Sequence, residues 1–290
     1  MIELIALAPL FLVVGYVYLK RRQLDKNDRR DPITTDLLCL PADSLQERIE
    51  SLAEKRLDRV VITITTGLMC ALILSYRRVV GEFRPWDFFD GVIVVGALGF
   101  ALFHARKIAK DMPLHRNLKQ AARAEQATAQ ELAASLSGDN RILNDIKAKD
   151  FNIDHVVITP AGVFAVETKS RLKPPAGQGS AAVKVRYDGR ALEFPTWTES
   201  KPIQQAERQA RWLADHLKRS TGEAFPVFAV VALPGWYIEN TTKITDDMVR
   251  VVNPKNVQWL LLPEKSRSRL NSKDIQQAAY AIEKLALAEA

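Results

Sequence analysis

Two carboxylates and a lysine stand inside an otherwise apolar stretch, FNIDHVVITPAGVFAVETK, at residues 151–169. The stretch reads as two strands joined at Pro160-Ala161-Gly162. Ile153, Val156, Val157 and Ile158 are β-formers before the turn, and Val163, Phe164, Ala165 and Val166 follow it. Asp154 falls early in the first strand, and Glu167 and Lys169 close the second. Strand side chains alternate between faces, so Glu167 and Lys169 point the same way with Thr168 between them. Charge in a buried strand requires a partner or a cation. Two carboxylates converging at a strand end make an oxygen-rich site suited to magnesium, with the backbone carbonyl of Thr168 as a further donor. Such an ion lowers the pKa of water and stabilises charge on a phosphate during in-line displacement. A lysine on the same face orients or deprotonates that water, or stabilises the charge on phosphorus. A plain salt bridge at a sheet end accounts for the same spacing, and both readings stay open on the residues alone.

The surrounding segments supply the elements that would position this hairpin. Arg116–Ser137 has no proline or glycine and carries Leu118, Leu132 and Leu136 on one face, with Gly138 as its stop. Ile142–Ile146 reads as a short strand. After the basic loop Arg171–Ala182, VKVRY-DG-RALEF predicts a second hairpin turning at Asp188-Gly189. Pro195–Pro202 is a loop holding Trp197. Ile203–Ser220 predicts a helix with Ile203, Ala206, Ala210, Leu213 and Leu217 on one face and Gly222 beyond it. Pro226–Leu233 is continuously apolar, as a strand buried on both faces is. Val249–Val252 and Val257–Leu262 are further short strands, and Asn271–Leu287 a closing helix. The order implies a mixed α/β fold with a sheet between helices. No glycine-rich phosphate loop is present, which disfavours an NTPase or a dinucleotide enzyme.

The first third of the chain has a different character. Ile2–Leu19 is apolar except for Glu3, and KRRQLDKNDRR follows. Positive charge after the apolar run favours an uncleaved anchor whose C-terminal side is cytoplasmic. Val60–Tyr76 and Phe88–Phe103 are two more apolar runs near the length a bilayer requires. Buried helices or strands of a soluble domain would show the same composition. The expected organisation is a membrane region over 1–110, with spans at about 2–19, 60–76 and 88–104, or one anchor plus a helical hairpin. An amphipathic helix is expected at about 43–58, and a cytoplasmic domain over 111–290. Arg56 and Arg59, and Arg106, Lys107 and Lys110, flank the second and third runs on the cytoplasmic side. Arg77, Arg78 and Arg84, in what would be the external loop, run against that arrangement. A net charge of +7 fits an anionic partner such as nucleic acid or an anionic lipid surface, and fits a positive-inside membrane protein equally. The two cysteines, Cys39 and Cys70, have no zinc spacing.

NIDHVVITPAGVFAVETKSR resembles the core motif of the nuclease-related domain, NERD, a branch of the PD-(D/E)xK phosphodiesterase superfamily. The similarity runs from about Arg123 to Val252. RAEQATAQEL resembles the family's opening helix, with Glu125 as the matching glutamate and Ala124 where a glycine is frequent. Asp154 matches the metal-binding aspartate, Glu167 the carboxylate of the E-x-K element and Lys169 its lysine. Thr168 stands where another β-former is common. Pro202-Ile203-Gln204-Gln205 resembles the start of the helix after the core, with Gln205 as its glutamine, and VRYDGRALEFP and ALPGWYI also resemble the family.

The resemblance implies a restriction-endonuclease-like mixed sheet flanked by helices, preceded by an α-helical membrane region. It implies a magnesium- or manganese-dependent nuclease acting on DNA at the inner face of the cell membrane. Asp154, Glu167 and the Thr168 carbonyl would hold the metal, Lys169 would serve the attacking water, Glu125 would add a carboxylate, and Gln205 would orient a ligand or the phosphate. His155 alternates to the opposite face and reads as structural. Arg171, Lys173, Lys184, Arg186 and Arg190 would meet the phosphodiester backbone, and Trp197 and Trp236 would pack or stack on bases. The alternatives are a catalytically silent nucleic-acid-binding or protein-interaction module tethered to the membrane, or a membrane-assembly protein whose domain only packs against partners.

Overall fold

Alternating apolar residues in the middle of the chain build a central sheet, and the helices after it bury its faces. The computed structural model describes residues 12, 15–20, 22–23, 42–80, 85–135, 138–148, 150–174, 183–258 and 270–288. Most of the first expected span, the loop beyond residue 174 and the expected strand beyond residue 258 lie outside the described residues. Contacts divide the chain into two compact units. One comprises the described residues of 1–28 and 46–119, the other those of 29–45 and 120–290.

Two helices dominate the first unit, α1 (Asp43–Val80) and α2 (Phe88–Ser135). The expected amphipathic helix at 43–58 and the span at 60–76 are one continuous helix, because no proline, glycine or turn residue separates them. Likewise the span at 88–104 continues into the helix expected at 116–137, and Pro113 lies within it. Both are long and apolar enough to cross a bilayer, and only 17% and 22% of their apolar windows are buried, unlike the core helix of a soluble domain. Val61, Leu68, Leu72, Phe88 and Val95 are exposed. Tyr16 and Val17 pack with Val60 on Ala101, Ala105 and Ile108. Arg59 pairs with Asp111 at one end of the hairpin. At the other, Arg77 pairs with Asp90 at 3.0 Å and Asp87 at 3.1 Å. At 1.5 Å per residue the helix between these pairs rises about 27 Å on α1 and about 32 Å on α2. That spacing brackets a bilayer's hydrocarbon core.

The second unit is a mixed α/β fold with two sheets. β1 (Arg141–Lys147), β2 (Asn152–Thr159) and β3 (Gly162–Thr168) are antiparallel neighbours. β4 (Lys184–Tyr187), β5 (Leu192–Glu193) and β6 (Thr198–Glu199) precede α3 (Lys201–Thr221). β7 (Val227–Ala232), β8 (Tyr237–Asn240), β9 (Arg250–Val252) and α4 (Ser272–Ala288) complete the chain. The larger sheet has the order β1-β2-β3-β7-β9, and the smaller the order β6-β5-β4-β8. β7 runs parallel to both β3 and β9, which α3 makes possible as the crossover. The hairpin expected around Asp188-Gly189 is the β4–β5 pair of the smaller sheet; β6 and β8 were not expected, and a two-residue strand such as β6 carries almost no periodic signal. Val257 is buried in the core outside any strand.

α3 ties the two sheets together. Ile203 and Ala206 pack with the smaller sheet's Val185, Tyr187 and Leu192, while Ala210, Leu213 and Leu217 pack on Val156, Ile158, Val163 and Ala165. Its C-cap is Gly222 at φ 79°, whose N–H bonds the Lys218 carbonyl at 3.0 Å. The other face of the larger sheet packs Val157, Phe164 and Val166 against Leu132.

The hairpin turn admits no side chain. Gly162 has φ 142°, and a Cβ there would meet Phe228 Cε2 at 2.7 Å and the Pro226 carbonyl oxygen at 3.1 Å. Gly162→Ala is expected to lower stability by about 2 kcal/mol, read as a reduced denaturant midpoint of the detergent-solubilised chain. An unchanged midpoint would show that the turn relaxes freely.

Candidate active site

The ladder between β2 and β3 ends at the pair His155↔Val166. One step further the same register sets Asp154 opposite Glu167, unbridged by backbone bonds. Instead the Thr168 N–H donates to Asp154 Oδ2 at 2.6 Å. The Lys169 N–H donates to Ala232 O of β7 at 2.9 Å. Backbone groups alternate along a strand, so the Thr168 carbonyl is directed to the Asp154 side of β3. Glu167 is 2% exposed, and both its oxygens are held. Lys169 Nζ bonds Oε1, and Gln209 Nε2 bonds Oε2. Gln209 Nε2 also reaches the Asn152 carbonyl at 2.8 Å.

Strict alternation fails beside Asp154. Leu143 and Ile146 pack on one cluster although three residues apart, and so do Ile153 and Val156. The break falls at Asn144-Asp145 and at Asp154-His155, which face each other in register. Asp145 has φ 50°, a left-handed conformation that aspartate tolerates better than most residues. Its carboxylate accepts bonds from Ser44 N at 2.9 Å, Ser44 Oγ at 3.1 Å and Asn152 Nδ2 at 2.9 Å.

Two carboxyl groups here have raised pKa values, Glu125 and Asp154. Burial first, then Asp145 and Glu167, push Glu125 on α2 up to about 8, with Lys169 acting the other way. Asp154 is raised well above the usual carboxylate range by burial, Glu167 and Glu125, against the Thr168 N–H bond and Lys169. His155 is held at about 3 by burial and is therefore neutral. Its Nδ1 contacts Asn144 Oδ1 at 2.7 Å, as a packed histidine does.

The fold thus brings Glu125, Asp154, Glu167, Thr168 and Lys169 into mutual range. Gln205 lies one turn before Gln209 on the same side of α3 and is half-buried. Gln209, which the sequence reading passed over, is the glutamine bonded to Glu167. It sits between Ala206 and Leu213 on the buried stripe, and an amide on an apolar stripe was the available signal. Asp145 gave none, because its position depends on the strand break.

The aromatic and basic residues are mostly engaged. Trp236 is fully buried, and its Nε1 donates to Arg171 O at 3.1 Å. Trp197 stacks on Phe194 with ring centroids 4.3 Å apart. Arg171 is bidentate to Glu199 at 2.7 and 2.9 Å. Lys184 and Arg186 meet Glu239 and Glu193 at 3.4 and 3.3 Å, on the surface. Tyr237, next to Trp236, is 63% exposed with Lys184 over its ring.

No three His, Cys, Asp or Glu side chains form a ready metal cluster among the described residues. Magnesium takes one or two carboxylates and fills its remaining positions with water and phosphate, so that criterion does not decide the fit. The donors do fit a hard divalent cation. Asp154 and Glu167 face each other, a carbonyl is directed to the same gap, and Glu125 and Asp154 are raised by burial and by neighbouring carboxylates with Lys169 as the opposing cation.

The family model of the nuclease-related domain (NERD) matches residues 120–234, which contain Glu125, Asp145, Asp154, Glu167, Thr168, Lys169, Gln205 and Gln209. No curated protein and no solved structure matches the chain.

The raised Glu125 carboxyl has a stability consequence. Unfolded, it loses its proton near 4.5; folded, it keeps it to about 8. The folded state therefore binds more protons across that window, and stability falls as pH rises through it. Glu125→Gln should flatten the decline in denaturant midpoint between pH 5 and 8, and magnesium should stabilise the wild-type chain more at pH 8 than at pH 5. An equal slope in the variant would remove Glu125 from the cluster.

Proposed function

We propose that this chain is a membrane-anchored nuclease that hydrolyses DNA phosphodiester bonds with magnesium or manganese. The observation that carries the reading is the convergence of Glu125, Asp154, Glu167 and Lys169 at the open end of β2 and β3, inside the region matching the nuclease-related domain. Asp154, Glu167 and the Thr168 carbonyl would hold the ion. When bound, a divalent cation supplies charge that offsets the negative phosphate and acidifies water.

The chain's own residues do the rest. Lys169, fixed by Glu167, directs its ammonium at the attacking water or a phosphate oxygen. Water adds to phosphorus as the bond to the leaving oxygen breaks, and its proton passes to a nearby base. Glu125 carries a proton at neutral pH and releases it as positive charge arrives. Gln209 fixes Glu167, and Gln205 stands a turn away where it orients a ligand or the phosphate. Lys173, Lys184, Arg186 and Arg190 attract the backbone. Their exposed ion pairs are weak enough to exchange for phosphate. Tyr237, exposed where Trp197 and Trp236 are packed, offers a ring for base stacking once Lys184 exchanges it for phosphate.

The same reading places a membrane region over about 1–110 and the nuclease-like domain over 111–290, cytoplasmic at the inner membrane. The charge balance supports this orientation. Arg56, Arg59, Arg106, Lys107 and Lys110 gather at the near side of the hairpin, against Arg77, Arg78 and Arg84 at the far side.

The purified full chain should cleave labelled DNA with magnesium or manganese and not in EDTA. Asp154→Asn should abolish cleavage, and Lys169→Ala should slow it by about 10²-fold or more. Gln209→Leu should weaken apparent metal affinity by about 10- to 100-fold. Cleavage that survives Asp154→Asn overturns the site. Salt-dependent binding that no metal converts into cutting selects the silent module instead.

A further inference from the structure

Beyond the nuclease-like site, the first unit holds a set of basic groups short of acceptors. On α2, His104, Lys107, Asp111, His115 and Lys119 recur every three or four residues and share one face. On α1, Arg56 and Arg59 are a turn apart, and Glu54 and Asp58 project from the opposite, exposed side. Asp111 is the carboxylate this set shares. Its side chain pairs with Arg59, and its carbonyl accepts from Arg56 Nη2 at 2.6 Å. Three nitrogens remain buried without a partner among the described residues: Arg56 Nε, His104 Nδ1 and His115 Nδ1.

The charge is unbalanced. Four permanent cations and two histidines meet one aspartate. Burial first, and Arg59 beside it, hold the Arg56 guanidinium below its ordinary pKa against the pull of Asp111. Burial, Arg56 and Lys119 hold His115 below its own. His104 and His115 stand about 16 Å apart along α2, too far for one group to reach both. At the Arg56 and His115 level a negative group with several acceptor oxygens would satisfy those two orphaned nitrogens and offset this repulsion. That level lies just beyond the Arg59–Asp111 end of the apolar stretch, whose length of about 27–32 Å matches the hydrocarbon thickness, and so at the depth of the lipid headgroups.

We infer that the notch formed by Arg56, His115 and Lys119 binds the phosphate group of an anionic phospholipid. A guanidinium fork matches phosphate oxygens bidentately, and the exposed Lys119 reaches the headgroup's rim. The inference rests on the hairpin lying in a bilayer and is independent of DNA cleavage.

The test uses the full chain. In native mass spectrometry from detergent, the wild type should retain phosphatidylglycerol in preference to phosphatidylcholine. Arg56→Gln and His115→Gln should each cut that retention by about tenfold, the loss of one charge-assisted contact. Lys110→Gln, an exposed basic change off the stripe, should leave it intact. His115→Gln keeps the Arg59–Asp111 pair, so it remains informative if Arg56→Gln misfolds. In phosphatidylcholine nanodiscs, phosphatidylglycerol should raise the thermal midpoint and inorganic phosphate should not. Equal retention of both lipids, or unchanged retention in the two variants, overturns the site. A matching shift with inorganic phosphate overturns the lipid source. A hairpin that protease digests in sealed vesicles overturns the bilayer placement beneath the inference.

Discussion

A β-ladder that stops one pair early is what the nuclease-like half depends on. Up to His155↔Val166, backbone groups of β2 and β3 satisfy each other and the side chains are apolar. One residue on, the Thr168 N–H turns to the Asp154 carboxylate. The strands must therefore part where Asp154 and Glu167 face each other, and the gap between them is lined by oxygen. A sheet that continued pairing would have buried two carboxylates against each other with no route for a counter-charge. The break in alternation at Asp145 and Asp154, in both strands at one level, belongs to the same constraint. It lets Ile146 and Ile153 return to the apolar cluster while the acidic residues remain outside it.

Glu167 is the fixed point of that gap. Deeply buried, it is tolerable only because Lys169 and Gln209 occupy both its oxygens. Lys169 comes from its own strand, two residues on, and Gln209 from α3. α3 places Gln209 there because its flanking residues belong to two different cores, Ala206 to one and Ala210 to the other. The position of one amide is thus set by the packing of both sheets on a single helix.

Much of this was legible in the residues. Runs of apolar β-formers gave the hairpin and β7, period-3.6 patterns gave α3 and α4, and E-x-K with an aspartate on the neighbouring strand marked the place where the charges meet. The boundaries that misled were those where sequence changes character without changing conformation. α1 passes from amphipathic to apolar, and α2 from apolar to polar, with the helix uninterrupted in each. Composition marks environment, and a helix can cross environments. Gln205 is matched through the Pro-x-x-Gln resemblance, and Gln209, one turn later on the same side of α3, is the glutamine bonded to Glu167. Trp197 and Trp236 carried an aromatic signal that a sheet core uses up, while Tyr237, one residue along and on the opposite face, carried none.

The two units share one electrostatic logic with opposite sign. Around Asp154 and Glu167, carboxylates outnumber the one lysine, and burial and neighbouring carboxylates raise the pKa values of Glu125 and Asp154. Around Asp111, guanidinium and imidazole groups outnumber one carboxylate among the described residues, and burial and neighbouring cations lower the pKa values of Arg56 and His115. Neither imbalance serves folding, since burying like charges together costs stability wherever it occurs. Apolar residues would fill both places more favourably. A chain that keeps both carries a cost that the proposed ligands would offset: a divalent ion and the phosphate it accompanies at one site, and at the other the phosphate of a lipid, which would fix the depth of the hairpin in the bilayer.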